Sequence, residues 1–152
     1  MPTPFPHHYR VQLVSASGRT VLGGGGRRPD ILGGPPPEFD GSDECWSPEH
    51  LLLAAAALCL KTTFDAVARR ARLAVNGYES RAEGVLDKTA AGLRFTAIRL
   101  HVALRVAEAD ADRARQLLET AEHHCIVANA LQTPVELSVS VETAELTAAG
   151  AS

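Results

Sequence analysis

The sequence predicts one domain of mixed helix and strand, and three observations predict it. The chain has 152 residues, 45% of them hydrophobic, a length that suits a single domain with a sizeable core of its own. Two stretches carry apolar residues at helical spacing, whereas the others alternate apolar and polar residues with the period of a half-buried strand. Glycine- and proline-rich segments separate these stretches, and the sequence has no internal repeat.

The elements follow in order. Residues 9–22 read as two short strands, with Val11, Leu13 and Ser15 alternating, a Ser17-Gly18 turn, and Arg19-Thr20-Val21-Leu22 after it. Residues 23–46 form a glycine- and proline-rich connection, of a length that is usually functional or wrapped against a partner. Its glycines make no P-loop, since no Gly-Lys-Ser/Thr follows. The first helix opens at Ser47-Pro48-Glu49, where Ser is an N-cap, Pro is pre-set for the first helical position, and Glu complements the positive end of the helix. It runs to about Arg72. Its first part, Leu51 to Leu60, is apolar all round, which predicts a helix enclosed by other elements.

Tyr78 to Asp87, a Thr89-Ala90-Ala91-Gly92 turn and a long strand form a half-buried hairpin, with Ile98, Leu100, Val102, Leu104 and Val106 on the inner face. A second helix, about Asp110 to His124, places Ala111, Ala114, Leu117, Leu118, Ala121 and Cys125 on one face. Pro134 opens a last strand with Val135, Leu137, Val139 and Val141 on one side. Residues 1–8 and 147–152 read as flexible ends of a single domain spanning 1–152.

Composition excludes several function classes. With 15 Lys+Arg against 18 Asp+Glu and a net charge of −3, nothing attracts a phosphate backbone, so nucleic acid is not an expected partner. The longest uncharged apolar run, Leu51 to Leu60, is too short to cross a bilayer core of roughly 30 Å, so no membrane partner is expected. The first eight residues lack a basic segment followed by an apolar one, which predicts no secretory signal and a reducing, cytoplasmic compartment. Of the 15 basic residues 13 are Arg, a coding bias that weakens any single Arg as a functional signal.

The three cysteines need explaining. Cys45, Cys59 and Cys125 are too few for a disulfide scaffold and stand at none of the usual zinc spacings. Cys59 and Cys125 each have a core reading, because buried free Cys behaves as a small hydrophobe. Both also fall on the inner faces of the two helices, and could come within the Cα separation of about 4.4 to 6.8 Å that a disulfide requires. A bridge in a reducing compartment would then be transient. Metal binding by His123, His124 and Cys125 is awkward, because neighbours on a helix point about 100° apart; these histidines suit a helix C-terminus. No Gly-x-Ser-x-Gly elbow suggests a serine hydrolase. No cofactor and no metal are expected.

Ser47-Pro48-Glu49-His50-Leu51-Leu52-Leu53-Ala54-Ala55-Ala56-Ala57-Leu58-Cys59, together with Ala121-Glu122-His123-His124-Cys125-Ile126-Val127-Ala128-Asn129-Ala130-Leu131, resembles the OsmC/Ohr family of thiol-dependent peroxidases. The resemblance runs from Tyr9 to Leu146 and includes Gly92-Leu93-Arg94-Phe95-Thr96. It implies an α+β, OsmC-like fold, with a long central helix and a second helix packed on antiparallel sheets, in an intertwined homodimer. It further implies that Cys59 reduces organic hydroperoxides through a sulfenic acid, that Cys125 resolves this as a disulfide, and that an external dithiol, lipoyl-type or thioredoxin-like, resets the enzyme in oxidative stress defence. Glu49 matches the family's Glu at the start of the long helix. Its partner, the Arg that activates the thiolate, matches Arg19 best, with Arg27 and Arg28 as competitors.

Ten residues of helix put Glu49 and Cys59 about 15 Å apart, so a Glu49 that serves the Cys59 site has to come from a second chain. A non-catalytic OsmC-like dimer that binds an apolar or thiol ligand is the alternative reading, and a metal-binding dimer a third. Cys45 has no assigned role.

Overall fold

A computed structural model describes residues 2–144 of the chain, which clusters into two compact units, residues 1–51 and 52–152. The expected flexible segment 147–152 lies outside the described residues. Residues 2–11 form no helix or strand and are exposed.

The first unit holds a three-stranded antiparallel sheet of order β1-β2-β3, with β1 at Gln12–Ala16, β2 at Arg19–Gly23 and β3 at Ile31–Gly33. Ser17 and Gly18 both have positive φ, 53° and 75°, the pair of left-handed residues whose twist suits a two-residue hairpin. The expected connection 23–46 is more structured than its composition implies. It contributes β3, a 3-10 turn at Pro37–Phe39, and a parallel bridge between Gly33 and Trp46. Gly34 N–H donates to the Trp46 carbonyl at 3.0 Å and Trp46 N–H to the Leu32 carbonyl at 2.9 Å. Gly41 closes this loop, since a Cβ there would stand 1.7 Å from the Pro35 carbonyl oxygen. All five residues of β1 are exposed, as are Val11, Leu13 and Val14. This sheet has no core of its own.

The long helix α1, Pro48–Arg70, begins where its cap predicts. Ser47 Oγ accepts the His50 N–H at 3.1 Å and lies 2.6 Å from His50 Nδ1, so one buried hydroxyl satisfies a first-turn amide and orients the imidazole. The helix stops two residues earlier than expected. Arg72 takes a left-handed φ of 55°, and Arg72 N–H to the Arg69 carbonyl and Leu73 N–H to the Ala68 carbonyl close a Schellman end. By length and composition α1 could cross a membrane, with a mean hydropathy of 1.7 over 18 residues, an apolar element longer than the Leu51 to Leu60 run suggests. Lys61 and Asp65 fall inside it and pair with each other.

The second unit is a sheet of order β4-β5-β6 with helices on one face. Strands β4, Gly77–Thr89, and β5, Gly92–Ala107, form the expected hairpin, kinked by a register shift at Val85/Leu86. Thr89 Oγ1 holds the turn, donating to the Gly92 carbonyl at 2.8 Å and accepting the Ala91 N–H at 3.2 Å. Ile98, Leu100, Val102, Leu104 and Val106 are all at most 2% exposed, so the period-2 reading of β5 holds in full. Helix α2, Ala111–His123, buries Ala114, Leu118 and Ala121, and a short α3, Ile126–Ala130, follows it.

Strand β6, Val135–Ala144, pairs with β5 in parallel. The expectation of wholly antiparallel sheets is corrected here: α2 and α3 form the crossover that a parallel neighbour needs. The core joins Leu60, Phe64 and Ala68 of α1 to the inner face of β5, the buried side of α2, and Cys125. On the opposite face, exposed pairs link Arg99 to Glu136, His101 to Glu83 and Arg105 to Glu142, each a modest contributor in water.

The expectation that α1 is enclosed on all sides is not met within one chain. Only Ala56, Leu60, Phe64 and Ala68, one stripe at a four-residue repeat, are buried, and Leu58 is 64% exposed.

Candidate active site

Cys59 stands in the middle of α1, half-buried, and Cys125 is buried at 1% exposure; both thiols are free. Cys125 is not on the inner face of α2 as its spacing suggests. It lies beyond that helix, as the residue that caps α3.

The corner between α2 and α3 is tightly tied. His124 ends α2, its N–H on the Ala121 carbonyl and its Nδ1 2.8 Å from the Thr120 carbonyl oxygen, as its position near a helix C-terminus predicts. Cys125 N–H donates to the Glu122 carbonyl, Asn129 N–H to the Cys125 carbonyl, and Asn129 Nδ2 to the His123 carbonyl. This corner turns the N–H groups of Ile126 and Val127 toward the Cys59 sulfur.

The two thiols are driven in opposite directions. Burial alone pushes the Cys59 pKa up, but the Val127 N–H, the Cys125 thiol, the Thr63 hydroxyl and the Ile126 N–H all favour its thiolate, and the net shift is downward. For Cys125, burial and then the adjoining Cys59 push the pKa up, against opposing hydrogen bonds from the Ala128 and Val127 amides. The arrangement makes Cys59 the more acidic of the two thiols and Cys125 the less acidic. The thiolate is the nucleophilic form of cysteine, and a neighbouring thiol is what a disulfide requires.

The structure brings together Cys59 and Cys125 among the expected site residues, and leaves the others apart from each other. Glu49 sits in the first turn of α1, and its Oε2 is buried without a hydrogen-bond partner among the described residues. Arg19 opens β2 in an exposed position. No ion pair joins Arg19 to Glu49 among the described residues. Arg28 folds onto its own loop, 3.4 and 3.3 Å from the Gly24 and Gly25 carbonyl oxygens, while Arg27 is exposed. Cys45 lies in the first unit, in a cleft of about 280 Å³ lined by Pro36, Pro37, Trp46 and His50, and its thiol points at the Ser42 carbonyl 3.8 Å away. Among the described residues no group of three or more His, Cys, Asp or Glu is placed to hold a metal ion.

Three contributors escape the sequence reading. Thr63 is one helical turn beyond Cys59, a spacing that could have been read as a neighbour on the same face. The amides of Ile126 and Val127 carry no side-chain signal. Tyr78 packs on Phe64 with ring centroids 5.8 Å apart, has Lys61 Nζ 5.2 Å from its ring centroid, and buries a hydroxyl that has no hydrogen-bond partner among the described residues. Burial, then the charges of Asp65 and Cys125, push its pKa up to about 12.

Known proteins share both sequence and fold with this chain. The family of OsmC-like proteins matches residues 41–140. The uncharacterized Bacillus subtilis protein YmaD is 32% identical over 108 residues, which cover 68% of this chain and 72% of YmaD. An OsmC-like protein of unknown function from Vibrio cholerae shares the fold with a TM-score of 0.80, at 18% identity over 89% of this chain and 100% of its own. A second Vibrio cholerae structure, described as an organic hydroperoxide resistance protein with captopril bound in one of its active sites, has a TM-score of 0.65 at 25% identity, over 91% of this chain and 95% of its own. The cysteine-bearing helix, the hairpin and the family match converge on one conclusion: this chain belongs to the OsmC-like family.

Proposed function

We propose that this protein is a cysteine-based peroxidase that reduces organic hydroperoxides to alcohols. Membership of the OsmC/Ohr family supports a role in defence against osmotic or oxidative stress. The observation that carries the finer reading is the opposed acidity of two adjoining thiols, Cys59 lowered and Cys125 raised.

In this reading the Cys59 thiolate attacks the outer oxygen of the hydroperoxide. The O–O bond breaks, Cys59 is oxidised to a sulfenic acid, and the alkoxide leaves and takes up a proton as the alcohol. The Cys125 sulfur then attacks Cys59, an S–S bond replaces the S–O bond, and hydroxide departs with the Cys125 proton as water. An external dithiol, lipoyl-type or thioredoxin-like, reduces the disulfide by two exchanges. The thiols stay free between turnovers in a reducing compartment such as the cytoplasm.

The active unit in this reading is a homodimer. The open apolar sides of α1 and of the first unit's sheet support it. So does the buried, unpartnered Oε2 of Glu49, because a buried carboxylate oxygen without a donor is costly. A second chain would cover the apolar faces and bring Glu49, with Arg19, to the partner's Cys59. The guanidinium would then favour the thiolate further.

Thiol titration tests the reading. A slight excess of cumene hydroperoxide should remove two of the three thiols of the reduced protein, and Cys59→Ser should abolish that loss. Unchanged thiols in the native protein would overturn it, in favour of an OsmC-like dimer that binds an apolar or thiol ligand without turnover.

A further inference from the structure

The acidic charge of the chain is concentrated in one stretch. Between Arg28 and Lys61 stand six Asp and Glu residues and no Lys or Arg, in a chain whose net charge is −3. Two of the six, Asp43 and Glu44, are exposed and line the cleft of about 280 Å³ in the first unit, together with Trp46, Pro36, Pro37 and His50. Among the described residues neither carboxylate takes part in an ion pair, and no Lys or Arg lines the cleft.

Trp46, the only tryptophan of the chain, is 47% exposed. Its place is nonetheless fixed. Its N–H and carbonyl are both bonded to the β3 segment, as described above. Across the cleft, Gly41 N–H donates to the Pro36 carbonyl at 3.0 Å and Ser42 N–H to the Pro35 carbonyl at 3.2 Å, while Glu44 N–H donates to Ser42 Oγ at 3.0 Å. The His50 ring is held by Ser47 Oγ, 2.6 Å from its Nδ1. A cleft tied in this way is built before a ligand arrives, which spares most of the cost of ordering it.

An aromatic face beside unpaired carboxylates recognises an organic cation. The face of an indole attracts positive charge, the carboxylates accept ammonium N–H groups, and an apolar body covers the indole and the two prolines. The N-terminus of α1 borders the cleft and is itself positive by about half a charge, which Glu49 in its first turn offsets. The volume equals roughly nine water molecules at about 30 Å³ each, enough for a small molecule. We infer that this cleft binds a compact organic ammonium ion with an apolar body, Trp46 seating the body and Asp43 and Glu44 the charge. No thiol takes part, so the site stands or falls apart from the peroxidase reading.

Trp46 reports on its own site, because no other tryptophan contributes fluorescence. The full-length chain is titrated at low ionic strength with phenethylamine, with excitation at the red edge of the indole band, where this ligand does not absorb. A saturable change with a Kd of about 1 mM or tighter is expected. The neutral 2-phenylethanol, of equal size, should bind at least about tenfold more weakly. Equal affinities for amine and alcohol, or no saturation by the amine up to about 10 mM, overturn the inference.

Two double variants locate the charge. Asp43→Asn with Glu44→Gln should weaken phenethylamine about tenfold. Glu38→Gln with Asp40→Asn removes the same charge from the same loop but away from the lining, and should stay within about twofold of native; Asn tolerates the left-handed φ of 59° at position 40. Native affinity in the first variant, or equal weakening in both, overturns the inference. Calorimetry on Trp46→Leu should find no binding, and native affinity there overturns it as well.

Discussion

Cys125 lowers the pKa of Cys59 while Cys59 raises that of Cys125, so one contact between two thiols drives their acidities apart. Neither residue is special by composition. The difference comes from the α2–α3 corner and from Thr63, whose hydroxyl reaches Cys59 from one helical turn further on. Replacement of Cys125 by Ala removes one of the groups that favour the Cys59 thiolate. The midpoint of Cys59 alkylation against pH should rise, measured with iodoacetamide in a Cys45→Ser background, and an unchanged or lower midpoint would refute the shared contact.

Thr63→Val keeps the shape of the side chain and deletes its hydroxyl. The same alkylation profile should shift upward by up to about two units, since a hydrogen bond to a charged group is worth about 1.5 to 3 kcal/mol at most. The first-turnover rate with cumene hydroperoxide at pH 7 should fall with it. A variant that reacts at the native rate would leave the Val127 and Ile126 amides and the Cys125 thiol as the source of the effect.

Arg19 and Glu49 carry the dimer prediction. Arg19→Ala should raise the Cys59 midpoint and slow its oxidation sharply, and Glu49→Gln should do the same more weakly. Equal rates in Arg19→Ala would move the role to Arg27 or Arg28. Sedimentation should find a dimer, and a monomer that still reduces hydroperoxide would refute the shared site.

Ser47→Ala should destabilise the protein by about 1.5 to 2 kcal/mol through the lost N-cap. The buried site of Ser47 and its second contact, with His50 Nδ1, place the effect toward the upper part of the usual range of about 0.5 to 2 kcal/mol. Urea unfolding followed by circular dichroism measures it.

Tyr78 predicts an alkaline limit to stability. Its folded pKa is raised from 10 to about 12, so its contribution is fully present below pH 10 and is lost as pH rises toward 12, because the unfolded chain ionises first. The free energy of unfolding should therefore decline across that window. In Tyr78→Phe the decline should be shallower, and identical slopes would place the alkaline transition elsewhere.

The elements of the second unit were legible because they obey simple periods. In β5 every second residue is buried from Ile98 to Val106, and Ser47-Pro48-Glu49 marks the start of α1 to the residue. The register of β6 was not legible, since Val135, Leu137, Val139 and Val141 alternate in the same way whether the neighbour is parallel or antiparallel. Strand β3 was hidden because Ile31-Leu32-Gly33 is too short for a period to show, in a stretch dominated by Gly and Pro. In the site, two thiols on helical faces suggested the pair, and the resemblance assigned their roles. Among the donors that set their acidity are the backbone amides of residues 126 to 128, which every sequence has and none advertises.

The α2–α3 corner also limits how this chemistry can be adjusted. Cys125 caps α3 while the next two amides serve Cys59, so one short stretch of backbone bears both on the acidity of Cys59 and on the position of the Cys125 sulfur. A substitution that displaces this stretch would alter both rates at once. Thr63, on α1, is the handle on Cys59 that lies outside the corner, whereas redesign of the corner itself would have to treat it as a single adjustable part.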